Sequence, residues 1–207
     1  MTEAGKPVRL SIFPLAGAIL LPRMHLPLHI FEPRYRALVE DALSRDQRIG
    51  MIQPRETGDR PALYDVGCIG RIVDARVLDD GRYDIVLEGL SRFRLTGERA
   101  VATLFRQVDA SLAGWNDAEP AEPLPFPVRG ELEEEARRYA EAAGYAVDWA
   151  AVARLDDETL VNAIAQIAPF DPAAKQALLE APTVRERAEL LISIMLFAVA
   201  GAGPTLQ

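Results

Sequence analysis

Apolar and polar residues alternate with a period of two through most of the chain as far as Ala110, and the period lengthens to about 3.6 residues beyond the proline-rich stretch that follows. The clearest alternation lies between Leu63 and Leu95, in LYDVGCIGRIVDARVLDDGRYDIVLEGLSRFRL, and predicts two long strands folded back on each other. Asp79-Asp80-Gly81 separates the two apolar runs, and an Asp-Gly pair supplies the positive φ of a tight hairpin at low steric cost. In the second run Tyr83, Ile85, Leu87, Phe93 and Leu95 share one parity, so they line one face of an extended strand, the core face. Arg82, Asp84, Glu88, Arg92 and Arg94 share the other parity with Val86 and Leu90, a mixed and partly wet face. Gly67, Gly70 and Gly89 mark bulges or places where another backbone comes close.

The flanking segments extend this reading. Val8, Leu10 and Ile12 alternate with polar neighbours and predict an opening strand that stops near Pro14. Met24, Leu26, Leu28 and Ile30 alternate with Arg23, His25, Pro27 and His29, a second extended segment whose Pro27 suits an edge or a bulge. Pro33 fits the first turn of a helix, where its missing N–H is not needed, and Leu38, Val39, Ala42 and Leu43 carry that helix to about Ser44. Strands are expected at Ile49 to Ile52 and at Val101 to Ala110, with a loop from Pro54 to Pro61. Gly114 to Pro127, GWNDAEPAEPLPFP, holds four prolines and breaks both helix and inner strand. Beyond it Leu132, Ala136, Tyr139, Ala140 and Ala143 form one helical stripe, and Leu160, Ala163, Ile164 and Ile167 another. Asp171-Pro172 is an N-cap with a first-turn proline, and Thr183 with Glu186 makes a capping box. Leu190, Leu191, Ile194, Met195, Phe197 and Ala198 give the last helix an apolar arc wider than one stripe, suited to the centre of a bundle or to an oligomer contact. The pattern therefore predicts an α+β chain. A mostly β amino-terminal domain over 1–113, a small twisted barrel or pair of sheets with one helix, leads through a Pro-rich link at 114–127 to an α-helical bundle over 128–207.

Composition narrows the function more than the fold. A hydrophobic content of 49% with 26% charged residues describes an ordinary globular chain. The net charge of -8 repels phosphate backbones, so nucleic acid is a disfavoured partner. Cys68 is the sole cysteine, which removes intrachain disulfides and cysteine-based zinc sites and points to the cytoplasm. MTEAGKPVRL lacks the apolar core of a signal peptide, and the apolar run Leu190 to Ala200 falls short of the ~20 residues that span a bilayer.

Catalytic chemistry finds little purchase. His25 and His29 would share a helical face, but on a strand they stand ~13 Å apart, too far for one metal ion. Gly89-Leu90-Ser91-Arg92-Phe93 lacks the final glycine of a nucleophile elbow and lies within a strand. Neither Lys6 nor Lys175 is followed by Ser or Thr, and no G-x-x-x-x-G-K run is present, which removes a phosphate-binding loop. Asp79-Asp80 fits turn chemistry, Glu133-Glu134-Glu135 the first turn of a helix, and Asp156-Asp157 an N-cap. No cofactor is implied, and the chain reads as a binding protein rather than an enzyme. Phe31-Glu32-Pro33-Arg34-Tyr35-Arg36 sets two arginines and two aromatics at a strand-to-helix junction, a composition of binding hot spots. The same residues also fit a core role for Phe31 and Tyr35, with Arg34 and Arg36 paired to acids or solvent. Arg71, Glu88, Arg92 and Arg94, on the outer side of the central strands, form a second candidate surface, and the last helix a third.

The hairpin stretch, preceded by FPLAGAILLPRMHLPLHIFEPRYRALVEDAL, closely resembles the amino-terminal LON domain of ATP-dependent Lon proteases, with a weaker echo in DPAAKQALLEAPTVRERAELL. The resemblance runs from about Leu10 to Leu95 and implies a PUA-like β fold. It also implies noncovalent recognition of unfolded or tagged protein segments, with a separate ATPase or protease as a partner left open. PUA-like folds elsewhere bind small molecules or RNA, which is the alternative reading.

Overall fold

The computed structural model describes residues 7–201. MTEAGK, read above for a signal peptide and containing Lys6, lies outside the described residues, as do residues 202–207. Six strands come first: β1 (Val8–Pro14), β2 (His25–Ile30), β3 (Arg48–Pro54), β4 (Leu63–Val77), β5 (Tyr83–Glu98) and β6 (Gln107–Ser111), with helix α1 (Pro33–Leu43) between β2 and β3. The helices α2 (Phe126–Ala143), α3 (Trp149–Val152), α4 (Asp157–Ile167), α5 (Pro172–Glu180) and α6 (Val184–Gly201) follow.

The strand order is β2-β5-β4-β3-β1-β6, and β5 also pairs with β6, so the sheet curls back on itself while β2 stays outside the ring. β1 and β3 run parallel, and the other pairs are antiparallel. One strand can serve both the ring and the outer ribbon because β5 is long and bulged. Its register against β4 slips between Ile69 and Gly70 and between Ile72 and Asp74, and against β6 between Leu95 and Gly97. Glycine makes the tight passages possible. A Cβ at Gly67 would strike the Met51 carbonyl and the Phe93 ring, and one at Gly89 the Leu21 carbonyl. At the hairpin tip Gly81 takes φ 78°, with Leu78 N–H donating to the Arg82 carbonyl at 2.8 Å.

Two apolar clusters hold the chain. Leu10, Ile12, Ile52, Ile69, Phe93, Val108 and Ala110 come from the five strands of the ring. The larger cluster runs without a break from Phe13, Leu20, Met51 and Leu87 in the β part to Val161, Leu178, Leu191 and Met195 in the helices. Polar contacts cross the same seam: Gln176 Nε2 donates to the Val66 carbonyl at 3.0 Å, and Gln53 Nε2 to the Pro172 carbonyl at 3.0 Å. The proline-rich segment is fastened as well, with Leu124 N–H donating to Asp157 Oδ2 at 2.7 Å and Arg23 to the carbonyls of Asp117 and Glu119.

Several local expectations shift. The last strand begins only at Gln107, because Val101 to Arg106 form a loop that tucks Phe105 into the core. Glu133, Glu134 and Glu135 sit inside α2 rather than in its first turn, since the helix already starts at Phe126; Arg129 and Arg138 neutralise them one helical turn away. In α4 the deeply buried face is Leu160, Val161 and Ala165, while Ile167 is 77% exposed. Helix α6 packs against α2, α4 and α5 through Ala188, Leu191, Ile192 and Met195, and leaves Phe197 82% exposed.

Candidate functional site

The residues singled out in the sequence fall in separate places. Phe31, just past β2, is 58% exposed and stacks beside His29 with ring centroids 6.3 Å apart. Pro33 opens α1 and turns the chain so that Arg34 and Tyr35 point toward the loops after β3 and β5. Tyr35 is buried, donates its hydroxyl to the Pro14 carbonyl at 3.3 Å and lies under the Arg34 guanidinium at 4.6 Å. Burial raises its phenol pKa, with Arg34 opposing. Arg34 also bonds Glu32 and the Asp59 carbonyl. Arg34, Tyr35, Asp59, Arg60, Leu104 and Arg106 line a cleft of about 330 Å³. Its arginines are already engaged: Arg106 and Arg60 both bind Glu98, and the Arg106 bond is the main reason its carboxyl titrates below the usual range. Arg36 points elsewhere, its guanidinium over Gly81 at the hairpin tip.

Arg71 and Glu88 lie on the outer face of β4 and β5 and bridge at 2.6 Å. Arg94, also exposed, places its guanidinium 5.5 Å from the centre of the Trp115 ring. Arg92 does not join them: it is 3% exposed. The expectation of a wet surface arginine is overturned because the proline-rich segment and the α5–α6 junction cover this part of β5. Asp117 pairs with the guanidinium at 2.8 Å, and the carbonyls of Leu179, Ala181 and Pro182 accept its remaining protons. Arg187, also buried, bonds the Leu178 carbonyl at 2.8 Å and Asn162 Oδ1 at 2.7 Å; burial, with Arg92 nearby, pushes its pKa down to about 10. Arg92 ties the sheet to the α5–α6 junction, and Arg187 ties α6 to α4 and α5.

His25 and His29 stand on β2, and His29 bonds Asp84 at 2.6 Å and Arg82 at 3.1 Å. Among the described residues no three His, Cys, Asp or Glu side chains gather in a metal-binding arrangement. Cys68 is buried, and burial pushes its thiol pKa far up, with Asp117 adding to the effect.

The most apolar concavity lies in the helical half. Gly144 closes α2 in the left-handed conformation at φ 73°, which swings Tyr145 to Val147 back across the helix; Asp148 then caps α3 by accepting from Ala151 N–H. The result is a groove of about 480 Å³ walled by Tyr139, Tyr145, Trp149, Leu155, Ile164 and Ile167, with Met195 at its base. Burial raises the Tyr139 phenol pKa, a mark of the low polarity there. Arg137 covers the Trp149 ring at 4.4 Å. The stripe Leu160, Ala163, Ile164 and Ile167 is legible in the sequence as one apolar face of a helix. The further signal is that Val161 and Ala165 widen the apolar arc of α4: the core takes them together with Leu160, and Ile164 and Ile167 are left to the groove.

The geometry is thus a ring-closed sheet with a helical half packed on it, and an apolar groove in that half. The family model described as the ATP-dependent protease La (LON) substrate-binding domain matches residues 9–196, so the chain belongs to that family. The match extends through the helices, well past the segment whose resemblance was plain in the sequence. The crystal structure of a Lon N-terminal domain protein from Xanthomonas campestris superposes with a TM-score of 0.66 at 23% identity, covering 90% of this chain and 98% of that one. The N-terminal domain of a Mycobacterium avium complex Lon protease gives 0.64 at 19%, covering 91% and 98%. In sequence the chain is 38% identical to Lon protease 2 of Sorangium cellulosum over 89 residues, 41% of this chain and 11% of that protein. It is 26% identical to the Lon protease of Escherichia coli K12 over 209 residues, 93% of this chain and 25% of that protein. The chain thus spans a quarter or less of the length of these two relatives. No helix among the described residues is long and apolar enough to cross a membrane.

Proposed function

We propose that this protein holds unfolded protein segments noncovalently, presenting apolar stretches of a client to the groove between α2, α3 and α4. The observation that carries the reading is the groove itself: aromatic and branched side chains line it, and Ile167 and Tyr145 stay half to largely exposed. Exposed apolar surface of this kind is the usual mark of a partner site. Family membership supports substrate recognition as the role. Handing the client to a separate ATPase or protease belongs to the same proposal, as does a cytoplasmic setting.

Trp149 on the groove wall provides the assay. Titration with a reduced, carboxymethylated protein that cannot refold should change its fluorescence with micromolar affinity, and Ile167→Asp should weaken binding about tenfold or more by setting a charge in the apolar wall. Because Ile167 is exposed, that variant should keep its thermal midpoint. Equal affinity of Ile167→Asp and the unchanged chain, or no binding by either, would remove the groove from the proposal.

A further inference from the structure

The free edge of β4 points to a second binding surface, and we infer that its occupant is the same edge of a second copy of this chain. This inference does not depend on client binding. β4 is flanked by β3 only as far as Arg71, where β3 begins at Arg48; beyond the bulge at Val73 it pairs with β5 alone. Val73 to Val77 are all exposed, Val73 at 45% and Val77 at 62%. Across the hairpin Leu78 N–H donates to the Arg82 carbonyl. Residues of an antiparallel ladder alternate in direction, so Ala75 and Val77 turn their N–H and C=O groups to the open side. The edge holds no proline or lysine, and the charges that guard it, Asp74 and Arg76, are of opposite sign, so they repel a like-charged strand but not one with the inverted order.

The sequence of the edge singles out its partner. Arg71-Ile72-Val73-Asp74-Ala75-Arg76-Val77-Leu78-Asp79 is a palindrome about Ala75 in which every charge is answered by its opposite. When two copies pair antiparallel about a two-fold axis at Ala75, Asp74 stands opposite Arg76, Val73 opposite Val77, and Ala75 opposite itself. The new ladder covers Val73 to Val77, because Ile72 N–H is already bonded to the Gln47 carbonyl at 2.8 Å and Arg48 of β3 stands beside Arg71. Within one chain Asp74, Arg76 and Arg48 have no ion-pair partner among the described residues. Symmetry makes each cross-strand charge pair twice, and directly opposed charges are the pairs to which a ladder is most sensitive. An extended client segment could use the same backbone groups but would not supply the inverted charge order.

Sedimentation equilibrium of the full chain from about 1 μM to about 1 mM tests this. The chain should dimerise within that range. Asp74→Arg sets Arg against Arg, and Arg76→Asp sets Asp against Asp, so each should weaken the dimer about tenfold or more. A mixture of the two variants should form a heterodimer tighter than either homodimer, and the double exchange Asp74→Arg/Arg76→Asp should restore self-association. Both side chains are exposed and unpartnered within the chain, so unchanged thermal midpoints should show that every variant is folded. A chain monomeric across the whole range, a dimer indifferent to both single exchanges, or two variants that fail to associate on mixing would each overturn the inference.

Discussion

Arg92 and Asp117 bond in a largely buried site, with side chains 4% and 7% exposed. The geometry meets the demands of such a site: the carboxylate takes the guanidinium and the Arg92 N–H, while three carbonyls around the α5–α6 junction take the rest. Deleting one partner strands the other charge, which costs far more than losing an exposed pair. Asp117→Ala should therefore lower stability by about 3–5 kcal/mol in urea unfolding, and a loss below about 1 kcal/mol would show that water fills the gap. Glu98 illustrates the contrasting, half-exposed case. Its carboxyl titrates below the ordinary 4.5, chiefly through Arg106, so the folded state favours the charged form. The stabilisation is complete above that ordinary value and disappears as pH falls through the lowered folded value. The stability difference between the unchanged chain and Glu98→Gln should thus be largest near neutrality and vanish in acid; a difference independent of pH would assign it to packing.

At the level of elements, close passage of backbones decides where side chains are allowed. Gly89 N–H donates to the Met24 carbonyl and its own carbonyl accepts from Arg23 N–H, each at 2.8 Å, so the turn before β2 lies directly on β5. A methyl there meets the Leu21 carbonyl, part of a backbone held at both ends. Gly89→Ala should destabilise the fold by more than about 2 kcal/mol. Gly130 offers the control: it lies exposed inside α2 with open space where a Cβ would go, and Gly130→Ala should stabilise by about 0.5–1 kcal/mol. Thermal melts of the two variants should move in opposite directions, and a harmless Gly89→Ala would mean that the 21–24 turn can lift away. Helix starts behave as their sequences predict: Asp156 accepts from Thr159 N–H, Asp171 from Ala174 N–H, and Thr183 and Glu186 form the reciprocal box at the start of α6. These devices involve residues at most three apart, which is why they could be read directly.

For the whole molecule, the balance of charge and apolar surface sets how partners are met. A net charge of -8 opposes acidic partners at long range, whereas the groove offers almost no charge of its own. Client binding through the groove should accordingly hold or strengthen as salt rises, and steep weakening with salt would direct attention to the arginine-lined cleft around Arg34 instead. Composition and strand parity mark Phe31, Arg34, Tyr35, Arg36, Arg71, Glu88 and Arg92 as candidates, but they report a local face and not what later covers it. Tyr35 and Arg92 became internal, Arg36 turned to the hairpin tip, and Arg71 closed on Glu88.

Alternation, turn residues and caps determined the hairpin, the first strands, α1 and the helical character of the second half, because each depends on neighbours a few residues away. The closing of β5 onto β6, the burial of Arg92 under segments far along the chain and the part of the apolar arc of α4 that meets the core were decided only by the tertiary structure. A periodic stripe records that a face can be buried; how much of it meets the core depends on how distant elements fill the same volume.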